Sequence, residues 1–271
     1  MDWTGCNGTL VKPYEQGAMP DRLLTGNYVY QHIHTYDHRV LHSEAHIGLL
    51  RTALRALYGA ELRLDADALQ RHIGELLRAN RYPRGSNCVT VRVYPHGVTS
   101  DSEEPEWQAE VTAQLLYPRY VLWHNRLMLD VLRCDNPFPG YPTGSSRLVA
   151  AYARERVRRA GADIAAVENG RGVLTGVDDE PLFVVLGRQV LSTPLTDGAA
   201  DSVLRRLVLR LCRTLGLTTT EYPLTRELLL RADEAFTVNV QGVVPILGFG
   251  SKRYYNLAAD RISRRINGAS L

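Results

Sequence analysis

Thr143-Gly-Ser-Ser-Arg-Leu-Val-Ala-Ala-Tyr-Ala-Arg-Glu-Arg-Val-Arg-Arg-Ala-Gly161 begins the stretch, ending at Arg205, from which the fold is read. Leu148, Ala151, Tyr152 and Glu155 recur at spacings of three and four, with arginine on the other side. That pattern predicts an amphipathic helix over 144–160, stopped by Gly161. Ala165-Ala-Val-Glu-Asn-Gly170 reads as a strand and a turn. Gly172-Val-Leu-Thr and Pro181-Leu-Phe-Val-Val185 read as two more strands. Gly187-Arg-Gln turns the chain into Val190-Leu-Ser-Thr-Pro194, and a second helix runs from Ser202 to Leu215.

Upstream, Tyr28 to Tyr36 alternates and predicts a strand, with Tyr28, Tyr30, His32 and His34 on one face and Val29, Gln31 and Ile33 on the other. Ser43 is the expected cap of a helix reaching Tyr58, with Ile47, Leu50, Leu54 and Leu57 as its apolar stripe and Gly59 as its stop. A further helix is expected over 65–80, burying Leu69, Ile73, Leu76 and Leu77. Asn87 to Tyr94, Val111 to Tyr117 and Tyr120 to Trp123 are expected strands, with a turn at Pro95-His-Gly97. Prolines and glycines crowd residues 134–143 and read as a linker. It divides an N-terminal α+β domain, 1–133, from a C-terminal α+β domain, 144–271. Downstream, a short strand is expected about Thr219, and Thr225 is the expected cap of Arg226-Glu-Leu-Leu-Leu. Strands at 235–240 and 243–247 and a closing helix to Ile266 complete the reading.

The composition narrows the class of function. A formal charge of +3 over 271 residues is small. The arginines lie among carboxylates, so solvated helix faces are expected rather than a nucleic-acid footprint. Cys6, Cys88, Cys134 and Cys212 are scattered and form no metal or disulfide pattern. No apolar run reaches the roughly 18 residues of a membrane span, and Met1-Asp-Trp-Thr-Gly-Cys6 lacks the basic and apolar regions expected of a signal peptide. A cytoplasmic protein without a membrane segment is expected.

The order of elements from 144 to 205 resembles the class IV aminotransferases, the pyridoxal-phosphate fold type IV family of branched-chain and D-amino-acid aminotransferases and aminodeoxychorismate lyases. The resemblance is carried by Ala160-Gly-Ala-Asp163, Gly172-Val-Leu-Thr, Leu182-Phe-Val-Val, Thr193-Pro-Leu, Asp197-Gly-Ala, Arg205 and Leu229-Leu-Arg-Ala-Asp-Glu-Ala-Phe236. Asp21-Arg-Leu-Leu-Thr-Gly26 is similar to the family's opening motif. The resemblance implies a two-domain α+β fold, a homodimer and a cleft faced by Tyr30, His32 and His34. It also implies a lysine about twenty residues before the Gly-Ala-Asp, holding the cofactor as a Schiff base.

Several of the implied positions are occupied by other chemistry. The lysine position falls on Thr143, and the chain's only lysines are Lys12 and Lys252. The glutamate on the pyridine nitrogen falls on Gly176 and the following asparagine on Pro181. The phosphate-binding Gly-Ile-Thr reads Ser202-Val203-Leu204, and the phosphate-binding arginine falls on Leu49. Leucines offer a phosphate neither donors nor positive charge. The expectation is therefore a chain without the cofactor: a ligand-binding or structural relative that has lost pyridoxal-phosphate catalysis. An active aminotransferase or lyase with atypical anchoring is the alternative.

A third reading is new chemistry in the old cleft. His32 or His34 would serve as a general base and Arg92 would hold a carboxylate, giving a site for a small anionic ligand. Asn239 is a further candidate for the cleft lining. Lys252 is an exposed loop lysine or a relocated Schiff-base amine. Five of the eight histidines fall between His32 and His46. His32 with His34 and His42 with His46 have spacings that a zinc site could use, but nothing completes a ligand set and no metal is expected.

Overall fold

In the computed structural model, residues 3–12, 27–96, 103–124, 127–269 and 271 are described. The Asp21–Gly26 motif and the end of the turn at Gly97 lie outside them. The chain divides into two compact units, Met1–Arg119 and Tyr120–Leu271.

The first unit holds β1 (Thr4–Cys6), β2 (Thr9–Val11), β3 (Val29–Tyr36), β4 (Arg39–Val40), β5 (Ser86–Tyr94) and β6 (Glu106–Gln114). They form an antiparallel sheet in the order β2-β1-β6-β5-β3-β4. β3 pairs along its whole length with β5, from Val29 opposite Val93 to Tyr36 opposite Ser86. β6 begins at Glu106, earlier than the expected Val111, because residues 106–109 are drawn into pairing with β5 and, at Gly5 opposite Ala109, with β1. Two helices accompany the sheet, α1 (Ser43–Tyr58) and α2 (Ala66–Ala79). α1 buries Ile47, Leu50 and Leu54, and α2 buries Leu69, Ile73, Leu76 and Leu77, at the helical spacing read from the sequence. Asp65 caps α2 by accepting from Ala68 N at 2.7 Å. The cap of α1 is His42, in the left-handed region at φ 57°, with Ser43 already inside the helix.

His46 on α1 is buried and donates through Nδ1 to Gln31 Oε1 at 3.1 Å. Burial, then the neighbouring His42 and His32, push its pKa down to about 3. The folded chain thus resists a proton that the unfolded chain accepts near an ordinary histidine pKa of about 6.5. This contribution to stability is complete above about pH 6.5 and declines as the pH falls toward about 3. Its slope is at most about 1.4 kcal/mol per pH unit. Urea unfolding at pH 7 and pH 5.5 is expected to show this loss, and His46→Gln is expected to reduce it. An unchanged pH slope in the variant would contradict the assignment.

The second unit holds β7 (Val121–Leu122), β8 (Leu127–Arg133), β9 (Ile164–Glu168), β10 (Leu174–Val177), β11 (Leu182–Leu186), β12 (Gln189–Ser192), β13 (Thr218–Glu221), β14 (Glu234–Asn239), β15 (Gly242–Phe249) and β16 (Lys252–Arg253). Their order is β10-β9-β8-β15-β14-β11-β12-β13, with β7 and β16 also on β15. β7 and β8 both run parallel to β15. That pairing places the structural division at Arg119/Tyr120, before the linker expected at 134–143. The unit's helices are α3 (Gly144–Arg159), α4 (Val203–Thr214), α5 (Arg226–Arg231) and α6 (Leu257–Ile266). α3 joins the parallel pair β8–β9, and α4 joins the parallel pair β12–β13. Thr225 caps α5, as its sequence position suggested, and Ser202, expected as the first residue of its helix, caps α4.

The burial of α3 corrects the sequence reading. Leu148 is 71 % and Tyr152 53 % exposed, while Ser146, Ala150, Ala153 and Val157 are buried. Small side chains let the helix lie close to its sheet. Ala153 and Val157 pack with Ala165 and Val167 of β9.

Candidate functional site

Thr143 sits where the helix of the βαβ unit begins. Its extended backbone, φ −132° and ψ 168°, ends the incoming segment. Its Oγ1 accepts from Ser146 N at 3.2 Å, and its own N–H donates to Ser146 Oγ at 2.9 Å. This reciprocal capping box satisfies two helix-terminal donors. Ser146 Oγ also lies 3.0 Å from Asp179 Oδ2. Thr143 is 1 % exposed, so its hydroxyl is committed to local structure.

The other positions that the resemblance singled out are also occupied by packing or turn geometry. A side chain at Gly176 would begin 2.5 Å from Glu180 O. That carbonyl is held by Val177 N at 2.8 Å, and Glu180 N returns a bond of 2.8 Å to Val177 O. Asp178 and Asp179, at φ 49° and 71°, make the two-residue turn between them. Pro181 contributes its carbonyl to Thr237 Oγ1 at 2.8 Å. Ser202 Oγ accepts from Arg205 N at 3.1 Å, and Leu204 is buried in the first turn of α4. Leu49 is buried on α1 of the first unit.

An acidic turn not singled out in the sequence lies beside Gly176. Glu180, Asp179 and Gly176 border a small pocket together with Ser146, with about 30 Å³ of free space, enough for a water. Burial, then the carboxylates of Asp179 and Asp178, push the Glu180 carboxyl well above its usual range. Burial raises Asp178 as well, against the opposing pull of Arg154, whose Nε lies 3.1 Å away.

In the first unit the expected pocket residues do share a sheet face. Tyr30 is opposite Arg92, and His32 is opposite Thr90. The Tyr30 and His32 rings meet edge to face at 5.0 Å, and the Arg92 guanidinium lies over the Tyr28 ring at 5.8 Å. Three of them also bond to side chains of β5 and β6. His32 Nδ1 is 2.9 Å from Thr90 Oγ1, and buried His34 places Nε2 2.8 Å from Ser86 Oγ. Arg92 donates to Glu110 Oε2 at 2.9 Å. Asn239 belongs to the second unit, where its Oδ1 accepts from Gln241 N at 2.9 Å and shapes the turn from β14 to β15. Among the described residues no group of three His, Cys, Asp or Glu side chains is placed to hold a metal ion. No helix there is long and apolar enough to cross a membrane.

The family model for amino-transferase class IV matches residues 29–249. The chain belongs to that family. Its fold is shared by the branched-chain aminotransferase of the archaeon Thermoproteus uzoniensis with norvaline, at 22 % identity and a TM-score of 0.80, covering 98 % of this chain and 95 % of that one. The putative 4-amino-4-deoxychorismate lyase of Legionella pneumophila is similar at 17 % identity and a TM-score of 0.76, covering 93 % and 94 % of the two chains. The T.th. branched-chain amino acid aminotransferase, in complex with N-(5'-phosphopyridoxyl)-L-glutamate, is similar at 18 % identity and a TM-score of 0.78, covering 98 % and 93 %. No curated protein sequence matches the chain.

Family membership corrects one expectation. A chain without the cofactor was expected from Leu49, Thr143, Gly176, Pro181, Ser202 and Leu204. Yet the chain is a class IV aminotransferase family member, and the T.th. relative of the same fold carries a phosphopyridoxyl adduct. The cofactor therefore stays with the family assignment, and the disagreement is confined to how these positions would anchor it. They offer no amine at 143, no room for a carboxylate at 176, and apolar side chains at 49 and 204. They do not fit a lysine-anchored cofactor.

Proposed function

We propose that this class IV family member performs no imine chemistry through position 143 and acts as a ligand-binding or structural protein on the aminotransferase fold. The observation that carries this reading is the buried capping box of Thr143 with Ser146. A threonine hydroxyl cannot form an imine, and this one is already spent on a helix end. A small anionic ligand on the face of Tyr30, His32, His34 and Arg92 suits the reading, as do a homodimer and a cytoplasmic location by analogy with the family.

Family membership supports a second reading, an active aminotransferase or lyase anchored through another amine. Half-buried Lys252 on β16 is then the candidate. Incubation with pyridoxal phosphate, an amino-acid donor and a 2-oxo-acid acceptor separates the two. The first reading predicts no amino transfer above that of the heat-inactivated protein. Catalytic transfer that is lost in Lys252→Ala would overturn it.

A further inference from the structure

A second pocket of about 220 Å³ opens at the carboxyl ends of the parallel strands β8 and β9. Loops at such strand ends, joined by a crossover helix, form natural crevices for ligands. Its walls come from Cys134, Asp135, Asn136 and Pro139 after β8, the Asn169–Arg171 turn after β9, Thr175 on β10, and Thr196–Gly198. Hydrogen bonds fix these walls. Asp135 Oδ1 accepts from Gly170 N at 2.7 Å, and Asn169 Nδ2 donates to Asp197 O at 3.0 Å. Asn169 Oδ1 accepts from Arg171 N at 3.0 Å and from Val173 N at 3.1 Å. Arg171 Nη2 pairs with Asp197 Oδ1 at 2.9 Å.

Each of the two aspartates thus spends one carboxylate oxygen on holding the pocket together. Asp135 Oδ2 and Asp197 Oδ2 remain as acceptors among the described residues. The Arg171 side chain is 62 % exposed and keeps donors for another partner. The lining therefore presents two carboxylates and one guanidinium around a volume suited to a few heavy atoms. It has no aromatic platform on which a sugar ring would stack.

We propose that this pocket binds a small zwitterionic amino acid, its ammonium group on Asp135 and Asp197 and its carboxylate on Arg171. Charge-assisted bonds of both signs select a zwitterion over a simple amine or a simple acid. The site uses none of the residues on which the proposed function rests, so the two stand or fall separately.

Titration calorimetry with L-alanine tests it, with ethylamine and propionate as single-charge controls. Asp135→Asn keeps an oxygen for Gly170 N while removing the charge, so the fold is retained, and an unchanged melting temperature checks this. The expected result is saturable one-site binding of L-alanine, weaker binding of ethylamine and none of propionate. Asp135→Asn is expected to weaken L-alanine binding by roughly tenfold or more, and Arg171→Gln to remove the preference over ethylamine. No saturable binding of L-alanine would overturn the proposal. So would binding that is unchanged in both variants, or that is lost in Arg92→Gln instead.

Discussion

Glutamate placed at position 176, where the resemblance implies one, is expected to destabilise this protein by roughly 3 kcal/mol or more. The cause lies at the first side-chain atom. A Cβ at Gly176 would stand 2.5 Å from Glu180 O, a backbone atom that is already the acceptor of Val177 N at 2.8 Å. Relief requires the β10–β11 turn to open, and that turn holds Asp178 and Asp179 in the left-handed region. The added carboxylate would also enter a turn where burial, then the neighbouring Asp179 and Asp178, already disfavour the charged form of Glu180. Gly176→Ala should suffer most of the same loss, because the clash occurs before any charge is reached. Urea unfolding should show a lower midpoint with an unchanged slope for both variants. A Gly176→Glu protein as stable as the parent would mean that the position accepts a side chain.

Phe236→Ala is expected to cost about 3–5 kcal/mol. Phe236 on β14 and Phe183 on β11 are direct cross-strand partners, and both are fully buried. Their rings stack at 4.9 Å with an interplanar angle of 13°. Truncation removes a large apolar side chain, leaves Phe183 facing a void and breaks the aromatic pair together. Thermal or urea unfolding would measure the loss. A change below about 1 kcal/mol would show that the surrounding core collapses into the space.

The periodic features of this chain were legible in its sequence because each follows from local geometry. Alternation from Tyr28 to Tyr36 marked β3, and the leucine spacing of α1 and α2 marked their buried stripes. Thr225 capped where a short polar side chain should, whereas the cap expected at Ser43 fell on His42. The face of α3 was not legible. Leu148 and Tyr152 suggested a buried stripe, yet the close approach to β9 selected Ala150, Ala153 and Val157. The division at Tyr120 was hidden for a related reason. The pairing of β7 and β8 with β15 joins residues more than one hundred positions apart, whereas the prolines of 134–143 give a strong local signal.

The sequence shows threonine at 143 and glycine at 176, where the resemblance implies a lysine and a glutamate, but not the geometry that occupies those positions. The capping box and the crowded carbonyl of Glu180 are three-dimensional facts. The pocket of Asp135, Arg171 and Asp197 was missed for a similar reason. Its polar residues come from three loops, and the only local signal was the Asn169-Gly170 turn that brings them together.

The most direct measurement is borohydride reduction of the protein after incubation with pyridoxal phosphate and desalting, followed by peptide mass mapping. The account predicts no reduced adduct formed in stoichiometric amount, whether or not pyridoxal phosphate is held without a covalent bond. A stoichiometric phosphopyridoxyl group on Lys252 or Lys12, together with a reducible absorbance band, would contradict it and restore an imine-forming enzyme.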